Sequence, residues 1–315
     1  ISEDVQFKSL GFVVIDEQHK FGVRQRALLS QKGTNPDVLI MTATPIPRTL
    51  CITLYGDLDI SVIDELPPGR KPAKTQHYIH ERVEEAYQFV AQKVKQGAQA
   101  YIVYPIIEES ETLDLKAAQD MYRHLSKKNF KDFRVALVHG QMKQAEVEET
   151  MRRFKQGAID ILVATTVLEV GVDVPKASVM LIEHAERFGL AQLHQLRGRI
   201  GRGTEQGYCL LIADPQTQEG AQRLKAILST TDGFKIAQHD LEIRGPGRFF
   251  GRHQHGFSEL KVANPATQLD VLKLARKEAV QLMSNDPKLE QLPNRQIRDI
   301  IKKRYPTYLA MVEAG

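Results

Sequence analysis

Between Arg187 and Gly203 the sequence reads RFGLAQLHQLRGRIGRG, with amides and arginines recurring three or four residues apart. At about 100° per residue, Leu190, Leu193, Leu196 and Ile200 fall on one side of a helix predicted over Leu190–Arg202. Gln192, Gln195, Arg199 and Arg202 gather on another. The apolar stripe is a core contact. The polar stripe presents amides and guanidiniums outward, and arginine is the residue suited to bidentate phosphate capture. Gly198 and Gly201, read as lying inside the helix, each weaken it by roughly 1 kcal/mol relative to Ala. Lacking side chains, they permit the close approach of a facing backbone. Arg199 and Arg202 are therefore candidate arginine fingers, touching a nucleotide and stabilising charge on its transferring phosphoryl group. The plainer alternative is a basic amphipathic helix.

Other residues could share that chemistry. Gly11–Ile15 (GFVVI) reads as a strand buried on both faces of a parallel sheet, followed at once by Asp16-Glu17-Gln18-His19. Ligands of open α/β sheets bind at the carboxyl ends of strands. Asp16 there could hold Mg²⁺ through water, and Glu17 could orient or deprotonate an attacking water; solvated loop acids are the alternative. Asp37–Met41 reads as the neighbouring strand. It opens into Thr42-Ala43-Thr44-Pro45, whose hydroxyls can bridge the acids to another domain, or which simply forms a turn ahead of a helix. His139-Gly140-Gln141-Met142 ends a later strand before a helix, where backbone N–H groups can bind a nucleic-acid phosphate. In the run Ala164–Pro175, Thr165 and Thr166 suit phosphate contacts on one DNA strand. Gly171 and Asp173 suit a nucleotide sugar approached closely by backbone.

These residues need elements to hold them. From Lys74 to about Asp214 strands and helices alternate. Strands are predicted at Thr75–His80, Ala100–Pro105, Arg134–His139, Ile159–Ala164, Ser178–Glu183 and Gly207–Ala213. Helices are predicted at Arg82–Gln96, Asp114–Ser126 and Ala145–Lys155 besides the arginine helix. Such alternation predicts an α/β fold with a parallel sheet covered on both faces. Residues 67–73, Pro67-Pro68-Gly69-Arg70-Lys71-Pro72-Ala73, read as a stiff, extended linker between two domains. After Pro215 the character changes. Residues 232–256 interleave glycine, basic and aromatic residues, as a mobile loop touching phosphates would. Apolar residues at helical spacing then predict packed helices at Thr267–Met283 and Arg295–Arg304.

Composition sets outer bounds. The chain has 315 residues, a net charge of +4, 26% charged and 42% hydrophobic residues, which is ordinary for a globular protein of about two domains. The charge permits a polyanionic partner without requiring one. Two cysteines support neither a disulfide framework nor a cysteine-rich zinc site. With so few cysteines a reduced, cytoplasmic protein is expected, and with no apolar run of the ~18 residues a membrane span needs, no such span is expected.

Gln195 through Arg202 resembles the last motif of superfamily-two helicases and translocases, and Glu186 to Gly203 more specifically resembles RecG-type branched-DNA helicases. The Asp-Glu-Gln-His, Thr-Ala-Thr-Pro and 164–175 runs match further motifs of that group. So do Asp64-Glu65-Leu66-Pro67-Pro68-Gly69-Arg70 and, in the translocation motif, Arg244-Gly245, Gly251, Gln254 and Gly256. Arg248 stands where the family has an acid and His255 where it has a small Ser, which puts the local salt-bridge network in question.

The resemblance implies RecA-like architecture. Residues 1–66 would be the rear of a first helicase lobe, 74–214 a complete second lobe, 215–262 the translocation segment and 263–315 carboxyl-terminal helices. It implies ATP and Mg²⁺, with Asp16 on the metal. His19, Thr42, Thr44 and Gln195 would couple hydrolysis to movement, while Arg244 and Gln254 would act in translocation. Branched double-stranded DNA (forks and Holliday junctions) is the implied partner, with single-strand-binding protein a further one and a monomer as the working form. No Gly-x-x-x-x-Gly-Lys-Ser/Thr loop occurs in the sequence. In the family that loop precedes the point corresponding to Ile1, so the chain is expected to be a carboxyl-terminal part, inactive alone. Two other readings stand beside this: a transcription-repair coupling translocase, and a truncated chain that only binds nucleic acid.

Overall fold

The computed structural model describes residues 5–17, 36–42, 61–105, 111–165, 174–203, 205–244 and 269–304. By spatial contact, residues 1–46 with 63–245 form one compact unit, and 47–62 with 246–315 a second.

In the first unit, β1 (Phe12–Ile15) pairs in parallel with β2 (Asp37–Ile40), Phe12 opposite Asp37 and Ile15 opposite Ile40. Val13 and Ile15 are buried, but Phe12 and Val14 are 57% and 51% exposed. The expected burial on both faces does not hold, because only alternate side chains of this two-stranded sheet are covered.

The larger sheet is built as the alternation predicts. Its strands are β3 (Lys74–Tyr78), β4 (Gln99–Val103), β5 (Val135–Val138), β6 (Ile161–Ala164), β7 (Ala177–Ile182) and β8 (Tyr208–Ile212). All pair in parallel, in the order β3-β8-β7-β4-β6-β5. Every residue of β4, β6 and β7 is buried, which is why these strands read as near-continuous apolar runs. Successive side chains point to opposite faces. Ala100 and Ile102 therefore join one core with Val90, Val94, Leu125 and Phe130. Tyr101 and Val103 join the other with Met151, Phe154, Leu193, Leu224 and Ile236.

The crossovers are α1 (Val83–Lys95), α2 (Glu111–His124), α3 (Gln144–Lys155) and α4 (Leu190–Arg197). α1 buries Ala86, Tyr87, Val90 and Val94 along one stripe, with glutamates in its first turn and lysines in its last, as the helix dipole favours. α2 widens into a π turn at Leu125–Asn129, closed by Phe130 N donating to Leu125 O at 2.8 Å. After β8 come α5 (Gln218–Ser229) and α6 (Gly233–Arg244). The Thr217 hydroxyl caps α5 by accepting from Gly220 N at 3.1 Å. Residues 233–244 of the glycine-rich run are thus helical rather than loop. The 245–256 portion lies outside the described residues.

The linker also differs from its expected form. Arg70 N donates to Pro67 O at 3.1 Å, and Gly69 has φ +81°. With Pro68 at the second position this is a type II turn, not an extended spacer.

In the second unit, α7 (Leu269–Asn285) and α8 (Arg295–Arg304) agree with the predicted helices. Between them Asp286 is 6% exposed and accepts from Glu290 N, Gln291 N and Asn294 Nδ2, each at 2.9 Å. Among the described residues no helix is long and apolar enough to cross a membrane, and no cluster of His, Cys, Asp and Glu could hold a metal ion.

Candidate functional site

The arginine run is a short helix followed by a tight turn. α4 ends at Arg197, with Gly198 as its C-cap, so the helix does not reach Arg202. Gly201 has φ +65°, a conformation glycine accepts and L side chains rarely do. A Cβ at Gly201 would stand 3.3 Å from Gly207 Cα, and one at Gly203 would stand 2.9 Å from Pro175 O. The close approach expected of Gly201 is real, but the facing backbone is the protein's own; at Gly198 a Cβ would meet only carbonyls of α4 itself, Gln195 O at 3.2 Å and His194 O at 3.5 Å.

The buried stripe is Leu190, Leu193, Arg197 and Ile200, with Leu196 only half-buried. Arg197 is 4% exposed; its Nη1 donates to Ile227 O (2.8 Å) and Thr75 Oγ1 (3.3 Å). It ties the end of α4 to α5 and β3. Sequence reading missed Arg197, although its spacing of seven from Leu190 marks it as a core position. Gln192 is exposed, as expected, and its Oε1 also accepts from Gly189 N at 2.9 Å, capping the start of α4. Gln195 is half-buried.

Gly201 N donates to Ala177 O, the first residue of β7, at 3.3 Å. The Arg199–Gly203 turn therefore lies at the amino edge of the sheet. Arg199 is half-buried, its N–H donating to Leu196 O at 2.9 Å; Arg202 is exposed, with Nε donating to Gly198 O at 3.4 Å. The linker reaches the same place. Arg70 Nη2 donates to Gly198 O at 3.2 Å, and Gln206 Nε2 to Pro72 O at 2.8 Å.

The candidate DNA residues sit at the opposite edge. His139 follows β5 and Thr165 follows β6. Thr165 is 4% exposed rather than open, and its hydroxyl has no hydrogen-bond partner among the described residues. Burial pushes the His139 imidazole below its ordinary value, so at neutral pH it offers a hydrogen bond and not a charge. Gly140 is exposed. At the start of α3 one backbone N–H, that of Lys143, meets a carboxylate, since Glu146 Oε2 accepts from it at 3.4 Å.

The same carboxyl edge carries a polar cluster unforeseen from the sequence. Glu183 is 3% exposed, accepts from the Tyr87 hydroxyl at 2.5 Å, and is held above the usual carboxylate range by burial. His80 Nδ1 lies 2.6 Å from Asp214 Oδ2, and its ring lies against that of His184, tilted by 36° at 4.6 Å between centroids. The signal was one polar residue directly after each apolar run.

In the smaller sheet, Met41 N donates to Ile15 O at 2.8 Å. The acid pair and Thr42 therefore leave the same end of two neighbouring strands. Asp16 is exposed and accepts from Glu17 N at 2.9 Å; Glu17 has φ +52°, a strained value for a side-chain-bearing residue. Thr42 is exposed. His19, Thr44, Thr166, Gly171, Asp173 and Gln254 lie outside the described residues, as do Arg248, His255 and the side chain of Arg244.

A six-stranded parallel sheet with an arginine turn at its amino edge is a RecA-like helicase lobe. Residues 81–204 match the helicase conserved C-terminal domain, and residues 230–305 match domain 3, C-terminal, of the ATP-dependent DNA helicase RecG. Over most of its length the chain is similar to RecG helicases. It is 54% identical over 282 residues to the ATP-dependent DNA helicase RecG of Thermotoga maritima and 49% identical over 286 residues to that of Bacillus subtilis. These alignments cover 90% and 91% of this chain but only 36% and 42% of the relatives. A structure of RecG bound to a three-way DNA junction aligns with a TM-score of 0.66 at 50% identity, covering 86% of this chain and 34% of that one. The yeast Dbp5 L327V structure with RNA and ADP BeF3 aligns at 0.52 with 16% identity over 87% of this chain and 64% of that one, a likeness of fold alone.

Proposed function

We propose that this chain supplies the second motor lobe, the rear of the first, and the translocation segment of an ATP-dependent DNA helicase. The parent would use ATP hydrolysis to move on double-stranded DNA and remodel forks and Holliday junctions in repair and recombination. It would act in the cytoplasm as a monomer, with single-strand-binding protein as a further partner. The observation that carries this reading is the arginine turn. Arg199 and Arg202 stand on a segment whose backbone is held by Gly201 against Gly207, Gly203 against Pro175 and Ile200 in the core. Guanidiniums so fixed can meet developing phosphoryl charge without reorganising, which is where such groups accelerate transfer.

The acid pair fits the other half of the reaction. Asp16 is an exposed carboxylate at a strand end, the hard-oxygen donor that suits Mg²⁺ with its retained waters. Bound there, Mg²⁺ would neutralise phosphate charge. Glu17, one residue on, would orient or deprotonate the attacking water, and its strained backbone is the kind found where a site over-determines geometry. Gly171 and Asp173 would approach the nucleotide sugar. His139, Gly140, Thr165 and Thr166 would meet DNA. His19, Thr42, Thr44 and Gln195 would couple the sites, and Arg244 and Gln254 would transmit movement.

The chain holds no glycine-rich phosphate loop, and positioning supplies most of the acceleration in phosphoryl transfer. Alone it should therefore hydrolyse no ATP. The test compares the full-length protein with this 315-residue chain on forked DNA. Fork-stimulated turnover in the first, abolished by Glu17→Gln, and none in the second is expected. Multiple-turnover hydrolysis by the isolated chain that Glu17→Gln removes would overturn this account.

A further inference from the structure

The Pro67-Pro68-Gly69-Arg70 run has so far served only to join two lobes. Its structure does more. Pro68 and Gly69 occupy the two central positions of the type II turn, and the Gly69 φ of +81° suits glycine there. The turn closes through Arg70 N to Pro67 O, and from its last position the Arg70 side chain reaches Gly198 O, 128 residues away, at 3.2 Å.

That carbonyl belongs to the C-cap of α4. The last carbonyls of a helix lack intrahelical partners and carry the negative end of its dipole, so a guanidinium there is favoured. The same oxygen accepts from Arg202 Nε at 3.4 Å. One carbonyl, with two lone pairs, thus holds a linker arginine and a finger arginine together. A second tie, Gln206 Nε2 to Pro72 O at 2.8 Å, fastens the linker to the far side of the arginine turn.

We propose that Arg70 is a positioning residue for ATP hydrolysis: from the linker it fixes the Gly198 carbonyl, and through that carbonyl it sets where the Arg202 guanidinium points. This rests on the finger reading above. Without Arg70 the Gly198 carbonyl loses its anchor to the linker, and the Arg202 side chain bonded to it loses a fixed reference point. Nucleotide binding would be little changed, because Arg70 itself touches no phosphate in this role. Any displacement of the linker as the lobes move would be felt directly at the finger.

The test is a double-mutant cycle in the full-length protein, with fork-stimulated ATP hydrolysis and thermal unfolding both measured. Arg70→Ala should lower kcat about tenfold with KM for ATP within about twofold, the signature of lost transition-state positioning. The melting temperature should hold, since Arg70 is only half-buried and its bond to Gly198 O is open to solvent. Arg70→Lys should recover part of the loss. In an Arg202→Ala background the Arg70→Ala effect should vanish, because no finger remains to be aimed. Full turnover in Arg70→Ala, or effects that multiply in the double variant, overturns this inference while leaving the finger reading intact. Near-normal turnover in Arg202→Ala overturns the finger reading itself, and this inference with it.

Discussion

Arg197 Nη2 lies 3.1 Å from His194 Nδ1 in α4. An arginine has no acceptor to offer, so the imidazole must accept and must be neutral at this nitrogen. Burial, with the Arg197 charge beside it, pushes His194 down to about 4.

The consequence is an acid-sensitive helix end. A depressed folded value means that stability is fully present above the unfolded histidine value, near 6.5, and is lost as pH falls towards 4. The loss should amount to about 2–3 kcal/mol in that window. Melts of the chain and of His194→Gln between pH 7 and 4 check this. The two curves should converge as pH falls; parallel curves would contradict it.

Glu183 should behave with the opposite sign. Burial raises its folded value above 4.5, so ionising it at neutral pH works against the fold, and that penalty fades as pH falls to the ordinary carboxylate value. Glu183→Gln keeps an acceptor for the Tyr87 hydroxyl and removes the charge. The variant should be at least as stable as the parent at neutral pH, with its relative advantage shrinking towards pH 4.5. A variant that is less stable at neutral pH, by an amount that does not change with acid, would show that Glu183 is held for another reason.

Gly203→Ala should damage the arginine turn. The new methyl would meet the Pro175 carbonyl at 2.9 Å, and backbone rather than a flexible side chain must give way. A cost of roughly 1–3 kcal/mol is expected, read as a lower melting temperature, together with reduced ATP turnover in the full-length protein. Gly198→Ala, whose new methyl would meet Gln195 O at 3.2 Å, should cost less. Equal stability of Gly203→Ala and the parent would mean that this approach is not what shapes the turn.

Much of this was legible in the sequence, for identifiable reasons. β4, β6 and β7 announce themselves because strands buried on both faces are near-continuous apolar runs, and each observed strand lies within two residues of its predicted bounds. The polar residues after each run mark the sheet edge. What periodicity could not show was the end of α4. Gly198 and Gly201 fit a helical repeat, and only the tertiary contacts with Gly207 and Pro175 reveal that the chain has already turned. Arg197 was hidden by its charge, since a buried arginine looks like a surface residue until its partners, Ile227 O and Thr75, are brought near by folding. Arg70 was hidden by distance along the chain.

The central claim is that this chain carries the arginine finger of a DNA-driven ATPase. The most direct measurement is fork-stimulated ATP hydrolysis by the full-length protein carrying Arg202→Ala, with fork binding measured alongside. The account predicts that turnover falls by roughly 10³-fold or more, while DNA binding survives. Turnover within a few-fold of the parent would contradict it.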